Sequence, residues 1–170
     1  ARDILNYVVR NMTDSAGGFY SAEDAESSPD PAKPEAKEEG AFYVWSKSDI
    51  DQLLGADGPI FDFCYGIQDT GNSLNDPMNV FTGKNILYVA NGLKEAATQF
   101  GKSQEDIQTI LGKCRNILFS ERGKRPRPHL DDKIITAWNG IMISSFAKAY
   151  QVFNVQEYLN VAERAARFVL

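Results

Sequence analysis

Apolar side chains recur at helical spacing along the second half of the sequence, and this pattern restricts the fold more than any other feature. In one predicted helix they mark a single face at intervals of three and four residues: Ile107, Ile110, Leu111, Cys114, Ile117 and Leu118. Such a stripe must be buried against another element. Similar patterns predict helices from Asp131 or Asp132 to about Phe153 and from Gln156 to Leu170. We therefore expect a mainly α-helical chain.

Shorter helices are predicted in the first half. Residues 2–12 show helical periodicity, a capping signal at Ser46 predicts a helix over residues 47–54, and Pro59 is placed to begin the next one. A further helix is expected over residues 93–100, and Ser103 with Asp106 gives the capping signal of the long helix described above.

The first half also predicts a small β-hairpin with an acidic insertion at its tip. Residues 19–20 and 42–45 are aromatic and strand-like, so we expect them to face each other. Residues 27–39 lack a large apolar side chain and cannot offset their ordering entropy, which predicts a mobile insertion. We expect a loop over residues 69–83 and a short extended run over residues 85–89.

The charge and the cysteines exclude some classes of partner. Residues 23–39 hold seven acidic side chains and two lysines, which accounts for the whole net charge of −5. The neutral remainder gives no electrostatic reason to expect nucleic acid or an anionic membrane, and no apolar run approaches the length of a membrane span. Cys64 and Cys114 lie among apolar neighbours, as buried thiols do, so we expect an intracellular protein, cytoplasmic or mitochondrial.

Both ends of the sequence lie inside helical patterns. Residues 2–12 are periodic without a preceding N-cap, and residues 168–170 stop within another periodic stretch. We therefore expect residues 1–170 to be part of one domain of a longer polypeptide, whose remaining helices would be its partner.

Residues 127–140 gather the side chains best suited to chemistry. They contain the only histidine, His129, and the adjacent carboxylates Asp131 and Asp132. A histidine beside carboxylates can act as a general acid or base, although a loop histidine more often makes only local hydrogen bonds. An aspartate at a helix start can also serve simply as a cap.

Sugar chemistry needs a second carboxylate from another part of the chain. Glycoside hydrolysis uses one carboxyl group as acid and another as base or nucleophile, and adjacent aspartates cannot lie on both sides of a sugar. Glu23 and Asp24 are the candidates for the second position. This assignment requires the two stretches to meet in space.

Aromatic and amide side chains supply candidate substrate contacts. Trp138 falls on a core-facing helical position, which favours a buried tryptophan, yet a tryptophan beside an amide also suits a sugar ring. Asn139 is a poor helix former whose amide needs partners, and Gly140 suggests close packing or close ligand approach. The other candidates are Tyr20, Tyr43, Trp45 and Lys133. Cross-strand packing is the alternative role for at least two of these three aromatics.

Several enzyme classes lack their motifs. The sequence has no serine or cysteine nucleophile motif and no metal-spaced cluster of histidine and cysteine, so we predict no metal and no cofactor. A basic stretch could receive phosphate or the acidic insertion, although most such stretches are solvated connections: Arg122, Lys124, Arg125 and Arg127.

Four long motifs follow one another along the chain: GGFYSAEDA at 17–25, EGAFYVW at 39–45, RPRPHLDDK at 125–133 and TAWNGIMIS at 136–144. They resemble the spermatogenesis-associated protein 20 family and its bacterial YyaL-type relatives. The resemblance implies an N-terminal thioredoxin-like domain, absent from this sequence, and an (α/α)6 toroid like that of six-hairpin glycosidases. This chain would be a segment of the toroid, carrying a small β-hairpin insertion and no redox function.

By fold-level analogy, the resemblance implies a toroid that binds a carbohydrate-like small molecule, with epimerase- or hydrolase-type acid/base chemistry. The acid/base roles would fall to Glu23 or Asp24 and to Asp131 or Asp132, with His129 as proton donor or orienting group. The alternative is a non-catalytic scaffold or client-binding module that accompanies the thioredoxin-like domain, in which the same residues cap and pack.

Overall fold

The computed structural model describes residues 1–73, 76–77 and 79–170, and it divides the chain into two compact units. The first consists of Ala1–Asp24 and His129–Leu170, and the second of Ala25–Pro128. Within these residues helices are the main elements of both units, and each unit also contains one antiparallel sheet of two strands. The prediction of a mainly helical chain is therefore confirmed at this level. No helix of the described ranges is long and apolar enough to cross a bilayer.

The first unit contains three helices, namely α1 (Arg2–Asn11), α6 (Thr136–Phe153) and α7 (Gln156–Val169), and strands β1 (Ala22–Glu23) and β4 (Leu130–Asp131). Its core is made by one buried stripe from each helix together with the side chain of Phe19. The Phe19 ring stacks on Phe146, with 5.5 Å between ring centroids. This stacking fixes the segment that leads into β1 against α6.

The second unit contains α2 (Lys47–Leu54), α3 (Gly58–Tyr65), α4 (Leu93–Phe100) and α5 (Gln104–Arg122), with strands β2 (Glu26–Ser27) and β3 (Glu38–Glu39). The predicted caps are confirmed, since Ser46 and Ser103 accept hydrogen bonds from the backbone three residues on. The predicted stripe of α5 is its buried face, with these side chains in the core: Ile107, Leu111, Cys114 and Leu118.

The β-hairpin has different strands from those predicted. Residues 19–20 and 42–45 do not pair; Phe19 bridges to Thr13, and Trp45 to Asn85. Instead β2 pairs with β3, with Glu26 opposite Glu39 and Ser27 opposite Glu38, so the ends of the acidic insertion close on each other. Strands β2 and β3 are closer to each other in sequence than residues 19–20 and 42–45 are, so their pairing closes a shorter loop.

Asn85 explains why Trp45 pairs elsewhere. Its side chain is fully buried, donates to the Trp45 and Gln68 carbonyls at 3.3 and 3.1 Å, and accepts the Gln68 N–H at 2.8 Å. A buried amide of this kind must find partners, and here it recruits Trp45. Part of the predicted loop at 69–83, namely Leu74, Asn75 and Met78, lies outside the described residues.

Helix α6 begins later than predicted. It starts at Thr136, with Ile135 as an N-cap that makes no side-chain hydrogen bond, so neither Asp131 nor Asp132 caps it. The reason is tertiary, because the backbone of Leu130–Asp131 is extended and paired with β1. A local capping signal is a weak preference that such pairing overrides.

The buried stripe of α6 does not include Trp138, the position predicted to face the core. It runs through Asn139, Phe146 and Ala149, whereas Trp138 and Ile141 are 55% and 68% exposed. The expectation of a core tryptophan is therefore wrong. The face of α6 that is buried carries Asn139, whose amide bonds to the backbone of Phe19, and Trp138, one residue earlier, faces outward. Gly140 is exposed with open space around it, so close packing does not explain this glycine either.

Candidate functional site

Strands β1 and β4 bring together two stretches separated by more than a hundred residues. Ala22 lies opposite Asp131 and Glu23 opposite Leu130 in an antiparallel pair. The ladder continues at one end, where the Asp24 N–H donates to the His129 carbonyl at 2.8 Å. The Glu23–Asp24 and His129–Asp131 segments therefore meet in space, as the acid/base assignment requires. We call this pair, residues 22–24 and 129–131, the ribbon.

The pleat divides the ribbon side chains between two faces. Side chains of residues that are directly opposite share a face, and successive residues alternate. Asp24 and His129 therefore lie on the same face as Asp131, while Glu23 shares the other face with Leu130. Asp24 and His129 are exposed, and Asp131 is half-buried. One face thus carries two carboxylates and an imidazole within reach of solvent.

Asp131 is held by Lys133. The Lys133 Nζ lies 2.9 Å from Asp131 Oδ2, and the Lys133 N–H donates to Asp131 Oδ1 at 3.3 Å. The hydrogen bond from the Lys133 ammonium holds the pKa of the Asp131 carboxyl below its usual range and raises the pKa of Lys133. Because both side chains are in contact with solvent, the pair adds little to stability. Its chemical effect is to keep Asp131 ionised.

Replacing Lys133 by methionine is expected to raise the pKa of the Asp131 carboxyl towards the ordinary aspartate value, since the variant removes the ammonium that favours the charged form. An NMR titration of the aspartate carboxyl carbons measures this directly. Lys148→Met, on exposed helix surface of the same unit, is the control and should leave Asp131 unchanged. An unchanged Asp131 titration in Lys133→Met would contradict the pairing.

The opposite face of the ribbon is held by a tyrosine that the sequence did not point to. The Tyr7 hydroxyl of α1 donates to Glu23 Oε2 at 2.6 Å. Tyr7 sits next to the buried face of its helix, beside Val8, and nothing in the local pattern relates it to a carboxylate sixteen residues away. Glu23 is therefore a positioned carboxylate, fixed from α1.

Tyr20 and Asp132 lie near each other beside the ribbon. The Tyr20 hydroxyl donates to Asp14 Oδ2 at 2.9 Å, and this bond raises the pKa of Tyr20, to which the Asp132 charge adds. The N–H of Ala16, followed by the Tyr20 hydroxyl, lowers the pKa of Asp14. Tyr20 is half-buried, and its hydroxyl is oriented by Asp14. The exposed Asp132 adds further negative charge beside the ribbon.

Asn139 connects α6 to the segment before β1. Its Oδ1 accepts the Phe19 N–H at 2.8 Å, and its Nδ2 donates to the Phe19 and Ile135 carbonyls at 3.0 and 3.1 Å. The side chain is 1% exposed. The predicted need of this amide for partners is met by backbone, so Asn139 fixes the segment that leads into β1.

The two glycines before Phe19 allow the chain to approach α7. Gly17 has φ +116°, and a Cβ there would lie 2.8 Å from Arg164 Cγ. A Cβ on Gly18 would lie 2.6 Å from Phe168 Cε1. Side chains at these positions would force the segment away from the helix. The glycine pair therefore sets the path by which the chain enters β1.

The remaining aromatic candidates differ in exposure. Trp138 is exposed on the first turn of α6, in the ribbon's own unit. Tyr43 and Trp45 belong to the second unit, where Tyr43 is 42% exposed and Trp45 is buried at 2%. Trp45 also borders a cavity of about 400 Å³ in that unit.

Arg125 is a structural residue of the second unit. Its guanidinium lies 3.9 Å from the centre of the Trp45 ring, and Nη1 donates to the carbonyls of Ala41, Phe42 and Val44 at 3.3, 3.2 and 2.7 Å. Burial lowers the pKa of this guanidinium. The expectation of a merely solvated basic connection is therefore wrong at Arg125, because the side chain supplies partners for carbonyls that no strand pairs.

The sequence has relatives among known proteins. No protein-family model matches it. It is 38% identical to human spermatogenesis-associated protein 20 and 37% identical to the mouse protein of that name, over 99% of this chain in each case. It is also 36% identical, over 98% of its length, to an uncharacterized protein of Caenorhabditis elegans. The chain spans about a quarter of the length of these relatives. On these matches, the chain belongs to the spermatogenesis-associated protein 20 family.

Proposed function

We propose that the ribbon is the acid/base centre of a site for a carbohydrate-like small molecule. The observation that carries the proposal is the pairing of β1 with β4, which sets Asp24, His129 and Asp131 on one face. These groups come from two distant parts of the chain, so neither local sequence nor helix capping accounts for their convergence. Acid/base chemistry needs such a set of titratable groups at one place.

The spacing on the ribbon suits chemistry that involves a water molecule. Asp24 and Asp131 occupy diagonal positions, because Asp24 lies opposite His129 and Asp131 is two residues further along. Diagonal side chains of an antiparallel pair are roughly 7–8 Å apart, and inverting sugar hydrolases place their carboxyl groups roughly 6.5–9.5 Å apart. This separation leaves room for a water molecule beside a sugar.

The two carboxylates are suited to different roles. Lys133 keeps Asp131 ionised, so Asp131 is the base that activates water or removes a proton from the substrate. Asp24 takes the second acid/base role, and His129 opposite it is the proton donor or orienting group. An epimerase would use the same two groups, one to remove a proton and the other to return it.

The groups around the ribbon supply recognition. Trp138 offers an exposed ring on which a sugar can stack. Tyr20, Asp132 and Lys133 offer polar groups for hydroxyls, and Tyr7 fixes Glu23 on the other face. Asn139 acts through the backbone of Phe19 and holds the whole arrangement in place.

Calorimetric titration of a panel of neutral and acylated sugars tests the proposal. Asp131→Asn is expected to weaken binding on the order of tenfold, because it removes one charge-assisted hydrogen bond. The control is Asp3→Asn, which changes an exposed carboxylate on the first turn of α1. Failure of the folded protein to bind any sugar in the panel would contradict the proposal, as would equal effects of the two substitutions.

A second candidate function is a protein-binding scaffold. It is favoured by the exposure of Trp138 and Ile141, which lie one turn apart on α6 and form an apolar surface of the kind used in protein contacts. In that case Trp138→Ala would abolish binding of a separately purified thioredoxin-like domain in the same calorimeter, and Asp131→Asn would have no effect on any sugar.

A further inference from the structure

A cavity lies in the second unit, between the end of α3, the loop before α4 and one face of α5. Its volume is about 310 Å³, at the lower end of the roughly 300–1,000 Å³ typical of small-molecule sites. Apolar and small side chains form most of its wall: Cys64, Val89, Gly92, Leu93 and Leu111. None of these residues belongs to the ribbon.

The walls of this cavity are fixed by hydrogen bonds within the unit. The Ala90 N–H donates to the Cys64 carbonyl at 2.9 Å, and Asn91 Nδ2 donates to the Phe63 carbonyl at 2.7 Å. The loop is thereby tied to the last turn of α3. Leu111 is in the core of the unit on the facing helix. The cavity is therefore preformed, and a ligand would not bear the entropic cost of ordering it.

Polar side chains of the cavity lining come from the end of α3, from the loop before α4 and from α5. Gln108, Leu111 and Arg115 lie three and four residues apart on α5, so they share one face of the helix. Arg115 Nη1 donates to the Tyr65 hydroxyl at 3.0 Å, and the Tyr65 ring packs on Phe61 with 4.4 Å between centroids. Among the described lining residues Arg115 is the one charged side chain.

An apolar wall with a single positive charge at one side selects for a particular kind of ligand. A guanidinium presents several N–H groups in a planar arrangement that matches a carboxylate, and no acidic side chain of the described lining opposes an anion. We propose that this cavity binds a small amphiphilic carboxylate. The apolar body of this ligand lies against Cys64, Leu93 and Leu111, and the ligand's carboxylate is held by Arg115 beside Tyr65.

Cys64 provides a reporter for occupancy. The chain has two free cysteines, both buried, and only Cys64 lines the cavity. Burial raises the pKa of both thiols, that of Cys114 to about 11, so each reacts slowly with a thiol reagent. Octanoate is expected to slow modification of Cys64 by methyl methanethiosulfonate, measured by mass spectrometry of the peptide. Cys114 in the same sample reports any general opening of the unit.

Two variants separate the carboxylate contact from the cavity itself. Arg115→Gln is expected to raise the octanoate concentration needed for half-protection about tenfold, because one charge-assisted contact is lost, while protection by the neutral analogue octanol is unchanged. Lys113→Gln, an exposed charge on the same helix, is the control. Val89→Trp places a large ring at an exposed position of the lining and should abolish protection by both compounds.

Specific results would overturn the proposal. Equal protection by octanol and octanoate in the unaltered chain would show that the carboxylate makes no contribution to binding. If neither compound protects Cys64, the cavity does not bind the proposed ligand. If Cys64 does not react at all, the absence of binding heat on titration with octanoate would lead to the same conclusion. An Arg115→Gln variant that matches Lys113→Gln would show that Arg115 is not the anchor. None of these measurements depends on the sugar panel, so the two proposals fail independently.

Discussion

Asn139→Ala is expected to destabilise the chain by about 3 kcal/mol, the cost of leaving a buried backbone N–H and carbonyl without partners. The wild-type amide makes three hydrogen bonds at 1% exposure, two of them to the backbone of Phe19. Alanine has better helix propensity than asparagine, but that gain is below 1 kcal/mol. The loss of the buried hydrogen bonds therefore dominates, and urea denaturation followed by circular dichroism measures it.

The matched control for this prediction lies on the same helix. Ser145→Ala removes an exposed hydroxyl that bonds only to the Ile141 carbonyl, so its effect should stay within about 0.5 kcal/mol. If Asn139→Ala also falls within that range, the amide does not hold Phe19. A further consequence concerns the ribbon, since a displaced Phe19 would move the strand that carries Glu23 and Asp24. Sugar binding should therefore fall together with stability in Asn139→Ala.

Features governed by neighbouring residues could be predicted from the sequence. The helix caps at Ser46 and Ser103 and the buried stripe of α5 depend on residues within a few positions of one another. Their energetics are local, so composition and spacing are sufficient to identify them. The same holds for Pro59 in the first turn of α3.

Features governed by distant partners could not be predicted in the same way. The Asp131–Asp132 pair looked like a helix cap, but the backbone there pairs with β1, which begins more than a hundred residues earlier. The sequence pairs Trp45 with the wrong segment, because nothing in the extended run predicted at 85–89 marks Asn85 as its partner. Pairing of this kind depends on tertiary contacts that compete with local preference.

The site residues show the same division. The need of Asn139 for hydrogen-bond partners could be predicted from its poor helix propensity, whereas the identity of the partner, the backbone of Phe19, could not. Tyr7 was missed because a tyrosine at the edge of an apolar stripe is common. The convergence of Glu23–Asp24 with His129–Asp131 was required by the chemical assignment, and the structure brings the two stretches together.

Arg125→Met is expected to destabilise the second unit by about 2 kcal/mol, because three backbone carbonyls lose a charged donor and Trp45 loses a cation over its ring. Methionine preserves much of the side-chain volume, so the packing loss is small. Relief of the desolvated charge, which lowers the pKa of the guanidinium, offsets part of the cost. Urea denaturation followed by the fluorescence of Trp45, in a Trp138→Phe background, reports on this unit.

The basic stretch offers its own control for Arg125. Lys124→Met removes an exposed charge one residue earlier, whose partner is Glu121 in the last turn of α5, so it should change stability by less than about 1 kcal/mol. Equal effects of the two substitutions would mean that net charge, and not the carbonyl contacts, matters in this stretch. A larger effect of Arg125→Met would instead show that the segment from Ala41 to Trp45 is ordered by a side chain in place of a paired strand. That result would explain why a strand-like sequence forms no sheet there.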